Sequence, residues 1–200
     1  ADGIARAFVN MCSHRGAQLV DPGVGTARRF ACPYHNWTYN QEGDLVGVFK
    51  QDDFGQLDTS CLGLTQLPIA ERAGLIWVTL SPDSKLDFDA FFAGYDEMLE
   101  FCDFASMNHF GTRILAGPNW KISFDGYVDF YHLPILHKNT FGPDMSPDAL
   151  FHRVGPHQRV TGPRGNWAKL EGRPTSEWPE SVLTGGVWSV FPHGSIAGFE

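Results

Sequence analysis

Two mixed pairs of soft ligands, Cys12-x-His14 and Cys32-x-x-His35, lie in the stretch CSHRGAQLVDPGVGTARRFACPYH, and they constrain the fold more than any other feature of the chain. For the pairs to serve one centre, the segment must supply two loops. Two thiolates and two neutral imidazoles are the donor set of a 2Fe-2S centre in which cysteines hold one iron and histidines the other, an arrangement that lifts the reduction potential to about −150 to +300 mV. Each pair would then span both irons, which explains why the pairs are mixed. A tetrahedral zinc site instead pairs C-x-x-C with a later H-x(3-5)-H. The order found here does not follow that pattern.

CSHRGAQL followed by CPYHNWTY resembles the two cluster-binding loops of the Rieske domain in ring-hydroxylating oxygenase alpha subunits. The likeness couples four ligands, seventeen residues between the pairs, an Arg-Gly after the first histidine, a proline in the second loop and a tryptophan after the last histidine.

Composition sets the outer limits. Two hundred residues with 42% hydrophobic and 14% aromatic content can pack a core as one domain or two small ones. A net charge of −8 without a long basic run argues against nucleic acid as a partner. No apolar run approaches the roughly 20 residues of a membrane span, and the start, ADGIARAF, is not a leader pattern, so no membrane partner and a cytoplasmic location are expected. With Cys12 and Cys32 assigned to the cluster, Cys61 and Cys102 read as small core residues rather than a disulfide. Only eleven residues precede Cys12. The chain is therefore read as beginning inside a domain, with strands of the resembling fold missing ahead of it.

In chain order, Ala7 to Met11 reads as a strand end, Gly16 as a tight turn, and Asp21-Pro22-Gly23 as a turn before a strand at Arg28 to Ala31. Pro33, Tyr34, Trp37 and Tyr39 are placed to keep water from the cluster sulfurs. Arg15, Arg28 and Arg29 form a basic patch suited to an acidic electron donor. Asn40 to Gly43 predicts a hairpin turn between Trp37–Tyr39 and Leu45–Phe49. Strands follow at Leu62 to Leu67 and Leu75 to Leu80, separated by Pro68 to Gly74. These make residues 1–81 an antiparallel β domain, which the resemblance implies is the Rieske domain, with Ser81 to Ser84 as a hinge.

From Phe88 the apolar period changes to 3.6, which predicts a helix over Asp89 to Phe101 capped by Asp87 or Asp89. A strand is expected at Phe110 to Leu115. Asn119 predicts the start of a second helix that Pro134 bends or ends soon after His132. On that helix Asp125, Asp129 and His132 share a face, with His137 folding back toward it, and Gly126 points to close packing or a bend. Two histidines and a carboxylate suit a non-haem Fe(II) site with open positions. Residues from Phe141 to Gly186 read as long loops with a short strand near His157 to Thr161, in which His152 and His157 are hydrogen-bonded loop residues. Strands are expected at Val187 to Phe191 and from Gly194.

NWK followed by D-x-x-H-x(4)-H is similar to the catalytic-domain signature of the same oxygenase family. The resemblance implies an α+β protein in which a helix-and-antiparallel-sheet catalytic domain, residues 82–200 and incomplete at its C-terminus, follows the Rieske domain. It implies a mononuclear Fe(II) held by His132 and His137, with a third, aspartate ligand beyond Glu200. Spacing alone would make Asp129 that ligand. The family assigns the matching aspartate to a hydrogen-bonded bridge from an iron-bound histidine to a cluster-bound histidine of a neighbouring subunit. The family commonly has Glu-Asn where this chain has Asp125-Gly126. Also implied are dioxygenation of a small apolar, aromatic substrate by O2, or alternatively monooxygenation or demethylation. A separate NAD(P)H-dependent reductase, a ferredoxin and a homotrimeric or α3β3 assembly belong to the same expectation. An electron carrier without catalysis would leave Asn119 to His137 without a role.

Overall fold

A computed structural model describes residues 2–163, 169–179, 185–192 and 194–198. The chain divides into two compact units, Ala1–Leu86 and Asp87–Glu200.

The first unit is built from short antiparallel pairs. β1 (Ala7–Phe8) pairs with β5 (Gln66–Leu67), and β2 (Phe30–Ala31), β3 (Thr38–Tyr39) and β4 (Leu45–Gly47) form a three-stranded meander. The β3–β4 turn is chemically specified. Asn40 Oδ1 accepts from the Asp44 N–H at 2.7 Å, and Gly43 sits at φ 89° where a Cβ would come 2.5 Å from the Phe8 ring. The expected connector from Pro68 to Gly74 instead contains β6 (Ile69–Arg72), which pairs with β7 (Leu75–Val78) across a two-residue turn. Ala73 and Gly74 both take positive φ there, 52° and 72°, as a tight hairpin turn demands. Cys12, Cys32, Trp37, Tyr39 and Leu45 form the buried core, with Ala17, Leu19 and Leu62 packed on it. Burying each large side chain of this set contributes about 1.5–3 kcal/mol. Cys61 is not part of it: the thiol is exposed and donates to the Asp58 carbonyl.

In the second unit Asp87 caps α1 (Phe88–Phe92), its carboxylate accepting from the Asp89 and Ala90 N–H groups. The single helix expected over Asp89 to Phe101 is broken. Ala93 and Gly94 both adopt left-handed φ, 50° and 88°, and the chain resumes as α2 (Glu97–Glu100). The 3.6 period still marked the right face, because Phe92, Tyr95 and Leu99 are all buried. Residues expected as a strand at Phe110 to Leu115 carry no regular structure, and Phe110, Ile114 and Leu115 are exposed.

The helix expected from Asn119 past His132 is likewise two. Asn119 caps α3 (Trp120–Tyr127) by accepting from the Lys121 N–H at 3.1 Å, and α4 is Leu133–Leu136. Asp129 terminates the first helix because its Oδ1 takes the Tyr131 N–H at 2.7 Å, a local bond that competes with continuing the helix. Pro134 opens the second, in the first turn where its missing N–H costs nothing. Asp129 and His132 therefore lie in a linker, and their shared helical face is not the reason they meet.

The sheet of this unit runs β11-β10-β9-β8, all antiparallel, with β8 (Leu150–Val154), β9 (His157–Thr161), β10 (Gly186–Val190) and β11 (Gly194–Gly198). β8 arises within the stretch read as loop. Every residue of β10 is buried, and Phe130, Leu133, Met145, Val160 and Val187 form the core beneath the linker. β9 is the short strand expected at His157 to Thr161, so His157 is hydrogen-bonded as expected but from a strand rather than a loop. His157 is fully buried, with Nε2 2.7 Å from the Phe91 carbonyl and Nδ1 accepting from the Phe191 N–H at 3.2 Å. With Tyr95 Oη donating to the Gln158 carbonyl at 2.6 Å, it ties the helical segment to the sheet. Among the described residues no helix is long and apolar enough to cross a membrane.

Candidate metal centres

The two cysteine loops share one backbone design. In the first, the Cys12 N–H donates to the Ala17 carbonyl at 2.8 Å and the Gly16 N–H donates to the Cys12 carbonyl at 2.9 Å. In the second, the Cys32 N–H donates to the Trp37 carbonyl at 2.8 Å and the Asn36 N–H to the Cys32 carbonyl at 2.9 Å. Gly16 and Asn36 occupy equivalent places and both take left-handed φ, 71° and 57°. Glycine and asparagine are the residues that accept this conformation most readily. Only the histidine differs, two residues after the cysteine in the first loop and three in the second.

The loops bring like donors together. Cys12 and Cys32 are buried in one cluster, and the His14 and His35 rings stand 4.8 Å apart at 62°. Both histidine Nδ1 atoms are buried and have no hydrogen-bond partner. A buried imidazole nitrogen without a partner is costly unless a ligand takes its lone pair, so the two orphaned atoms fit a metal on the histidine side. Burial raises the Cys32 thiol, but the His35 and Tyr34 amides, aided by Cys12, outweigh it and hold the group below its usual value. Burial, then the neighbouring His35 and Arg15, hold His14 below its usual value and so neutral at pH 7. Deprotonated sulfur and neutral imidazole are the forms that bind metal. Among the described residues no three His, Cys, Asp or Glu close on a single ion position, and the four loop donors divide into a thiol pair and an imidazole pair.

The surroundings correct one expectation and extend another. Trp37 is buried and stacks on His14 at 4.6 Å and 9°, whereas Tyr34 is exposed and covers His35 from outside at 3.8 Å. Tyr39, expected as a water shield, is fully buried and has a second task. Its Oη lies 3.2 Å from Cys12 Sγ and accepts from the Ser13 N–H at 3.1 Å. A buried tyrosine hydroxyl needs a polar partner, which is the signal that could have found it. Phe49 and Phe54, not singled out by sequence, line a depression of about 240 Å³ with His14 and His35.

In the second unit, the His132 and His137 rings are 5.5 Å apart, and His137 stacks on Phe141 at 4.7 Å. Asp129 Oδ2 approaches His132 Nδ1 at 3.4 Å. The carboxylate is thus aimed at the imidazole edge rather than at a position shared by all three. The two histidines and Asp129 line a pocket of about 480 Å³ whose other walls include Phe130, Leu133, Phe141 and Val187. Asp125 does not line it. His152 lies in the exposed strand β8 and is not among the residues lining that pocket.

Two family models match the chain, the Rieske [2Fe-2S] domain over residues 1–60 and the ring hydroxylating alpha subunit (catalytic domain) over residues 104–197. An iron–sulfur module joined to an oxygenase catalytic module is the class these matches define. The chain belongs to the Rieske ring-hydroxylating oxygenase family, as an alpha, or large, subunit. It is 33% identical over 150 residues to the large oxygenase component of the 2,4-dinitrotoluene dioxygenase system of Burkholderia sp. (strain RASC), covering 68% of this chain and 32% of that protein. To the carnitine monooxygenase oxygenase subunit of Escherichia coli (strain K12) it is 29% identical over 171 residues, covering 83% and 42%. The crystal structure of naphthalene 1,2-dioxygenase from Rhodococcus sp. bound to indole aligns with a TM-score of 0.72 at 26% identity, over 97% of this chain and 51% of that one. The chain spans about a third to two fifths of the length of these curated relatives.

Proposed function

We propose that Cys12 and Cys32 hold one iron of a 2Fe-2S cluster, His14 and His35 the other, and His132 and His137 a mononuclear Fe(II). The observation that carries this reading is the pair of orphaned, buried Nδ1 atoms opposite a buried thiol pair in one unit, with a second histidine pair lining an apolar pocket in the other. When bound, the cluster supplies single electrons and the mononuclear iron supplies oxygen activation. The whole protein is then an oxidoreductase that oxygenates a small apolar, aromatic substrate with O2, its domains dividing near residues 81 and 82.

The chain's own residues have distinct tasks in that reaction. Trp37 and the buried core under the loops keep water from the sulfurs. Phe130, Leu133, Phe141 and Val187 hold an apolar substrate beside the histidine pair by excluding water rather than by charge. Asp129 orients His132 through its Oδ2 and, in a head-to-tail oligomer, would join it to His14 or His35 of a neighbouring copy. Arg15, Arg28 and Arg29 are exposed and offer a basic landing surface to an acidic ferredoxin or reductase. A homotrimer or α3β3 assembly fits that route.

The test is substrate oxidation by the full-length protein under labelled O2. Both oxygen atoms in a cis-diol product support dioxygenation, and one atom supports the monooxygenase or demethylase reading that the carnitine monooxygenase relative brings. A cluster that cycles electrons while no substrate is oxidised by any member of an apolar panel would leave only an electron carrier.

A further inference from the structure

α3 carries a glycine at a place where neither backbone nor packing asks for one. Gly126 is the seventh of the eight helical residues, two before the C-cap Val128, and its φ is not positive. Apart from the helix's own backbone and its chain neighbours, a Cβ added there would meet no heavy atom of the described residues within 4 Å. Elsewhere in the unit glycine is needed for space: at Gly142 and Gly186 a Cβ would come 2.2 Å and 2.5 Å from backbone oxygens. The close packing or bend expected of Gly126 is therefore not its reason. In a helix interior glycine costs about 1 kcal/mol relative to alanine, and here nothing in the helix offsets that.

The open side faces the reaction pocket. Ile122, Ser123 and Gly126 follow one another at i, i+1 and i+4 on one helical face, and all three line the same pocket as His132 and His137. Among the described lining residues there is no lysine or arginine, so no permanently positive side chain there would anchor a carboxylate. Glycine is the residue that lets a ligand approach a backbone closely.

We propose that Gly126 is a specificity-determining residue, whose missing side chain lets one edge of a flat, uncharged, multi-ring substrate lie against the α3 backbone beside His132. This rests on the proposed reading of the pocket as the site of an apolar substrate. A single-ring substrate held beside the histidines without touching the helix would be indifferent to the residue at this position.

The test uses the full-length, iron-loaded protein and its Gly126→Ala and Gly126→Leu variants, with equilibrium dialysis of radiolabelled phenanthrene and toluene and a melting curve for each protein. One methylene in an apolar pocket is worth about tenfold or more in discrimination, so Gly126→Ala should weaken phenanthrene by about that factor and Gly126→Leu further. Toluene binding should stay within about twofold, and Gly126→Ala should melt no lower than the wild type. Equal losses for both probes, unchanged phenanthrene binding in both variants, or a lower melting temperature for Gly126→Ala would each overturn the proposal. Failure of the wild type to bind either probe would overturn the apolar-pocket reading itself, and with it this inference.

Discussion

Replacing Tyr39 by phenylalanine isolates one hydroxyl at the cluster loops. The ring is fully buried and phenylalanine fills nearly the same volume, so no large cavity opens. Two hydrogen bonds disappear: the one linking Tyr39 Oη to Cys12 Sγ at 3.2 Å and the one from the Ser13 N–H at 3.1 Å. When Cys12 is a thiolate ligand, the hydroxyl is necessarily the donor. A hydrogen bond to a charged group contributes about 1.5–3 kcal/mol, and a donor to sulfur favours the reduced, more negative cluster. If the whole of about 1.5 kcal/mol were specific to the reduced state, the potential would fall by about 60 mV for one electron. Because the oxidised cluster also keeps part of the bond, a fall of a few tens of millivolts is expected, with about 60 mV as the ceiling at that bond strength. Spectroelectrochemical titration of the full-length variant, with its visible spectrum intact, measures this directly. An unchanged or raised potential would refute the reasoning.

His132→Ala should remove the mononuclear iron and abolish turnover while the visible spectrum of the cluster survives, which metal analysis and absorption spectroscopy check together. Asp129→Asn keeps shape but loses charge and half its acceptor capacity; it should keep both metal sites and a reducible cluster, yet slow single-turnover oxidation of that cluster severely. Burial holds His157 below its usual value despite the Phe91 carbonyl, so its neutral form stabilises the fold above the unfolded value of about 6.5, and that stability is lost as pH falls below it. His157→Phe should lower the melting temperature at pH 7.5 and flatten its dependence on pH in the mildly acidic range. Asn119→Ala removes the α3 cap and should cost about 1 kcal/mol in denaturant unfolding, with little change in cluster spectrum.

Chemistry was more legible in this sequence than geometry. The mixed pairs at Cys12, His14, Cys32 and His35 stand out as candidate ligands by residue type and spacing, because few side chains bind soft metals and their order does not fit the usual zinc spacing. The Asn40–Gly43 turn and the Asp87 and Asn119 caps were readable for a similar reason: each rests on one local hydrogen bond or one φ value. Helix continuity was not readable. Apolar period identified the buried face of Phe92, Tyr95 and Leu99, but a period carries no mark of the left-handed break at Ala93 and Gly94. The linker holding Asp129 and His132 depends on a side-chain bond to the Tyr131 amide that competes with the helix on nearly equal terms. β8 has an exposed face and an unremarkable composition, so its pairing with β9 is a tertiary effect. Tyr39 and Gly126 were visible as residues, but what each touches, a thiol in one case and open space in the other, exists only in the fold.

The most direct measurement is iron and acid-labile sulfide analysis of the anaerobically reconstituted full-length protein beside its Cys12→Ser, His14→Ala and His132→Ala variants. The wild type should contain three irons and two sulfides per chain, with a Rieske-type resonance on reduction. His132→Ala should lose one iron and no sulfide, whereas Cys12→Ser and His14→Ala should lose the sulfide and the resonance. Stoichiometric zinc without sulfide in the wild type, or a cluster that persists after His14→Ala, would contradict the assignment.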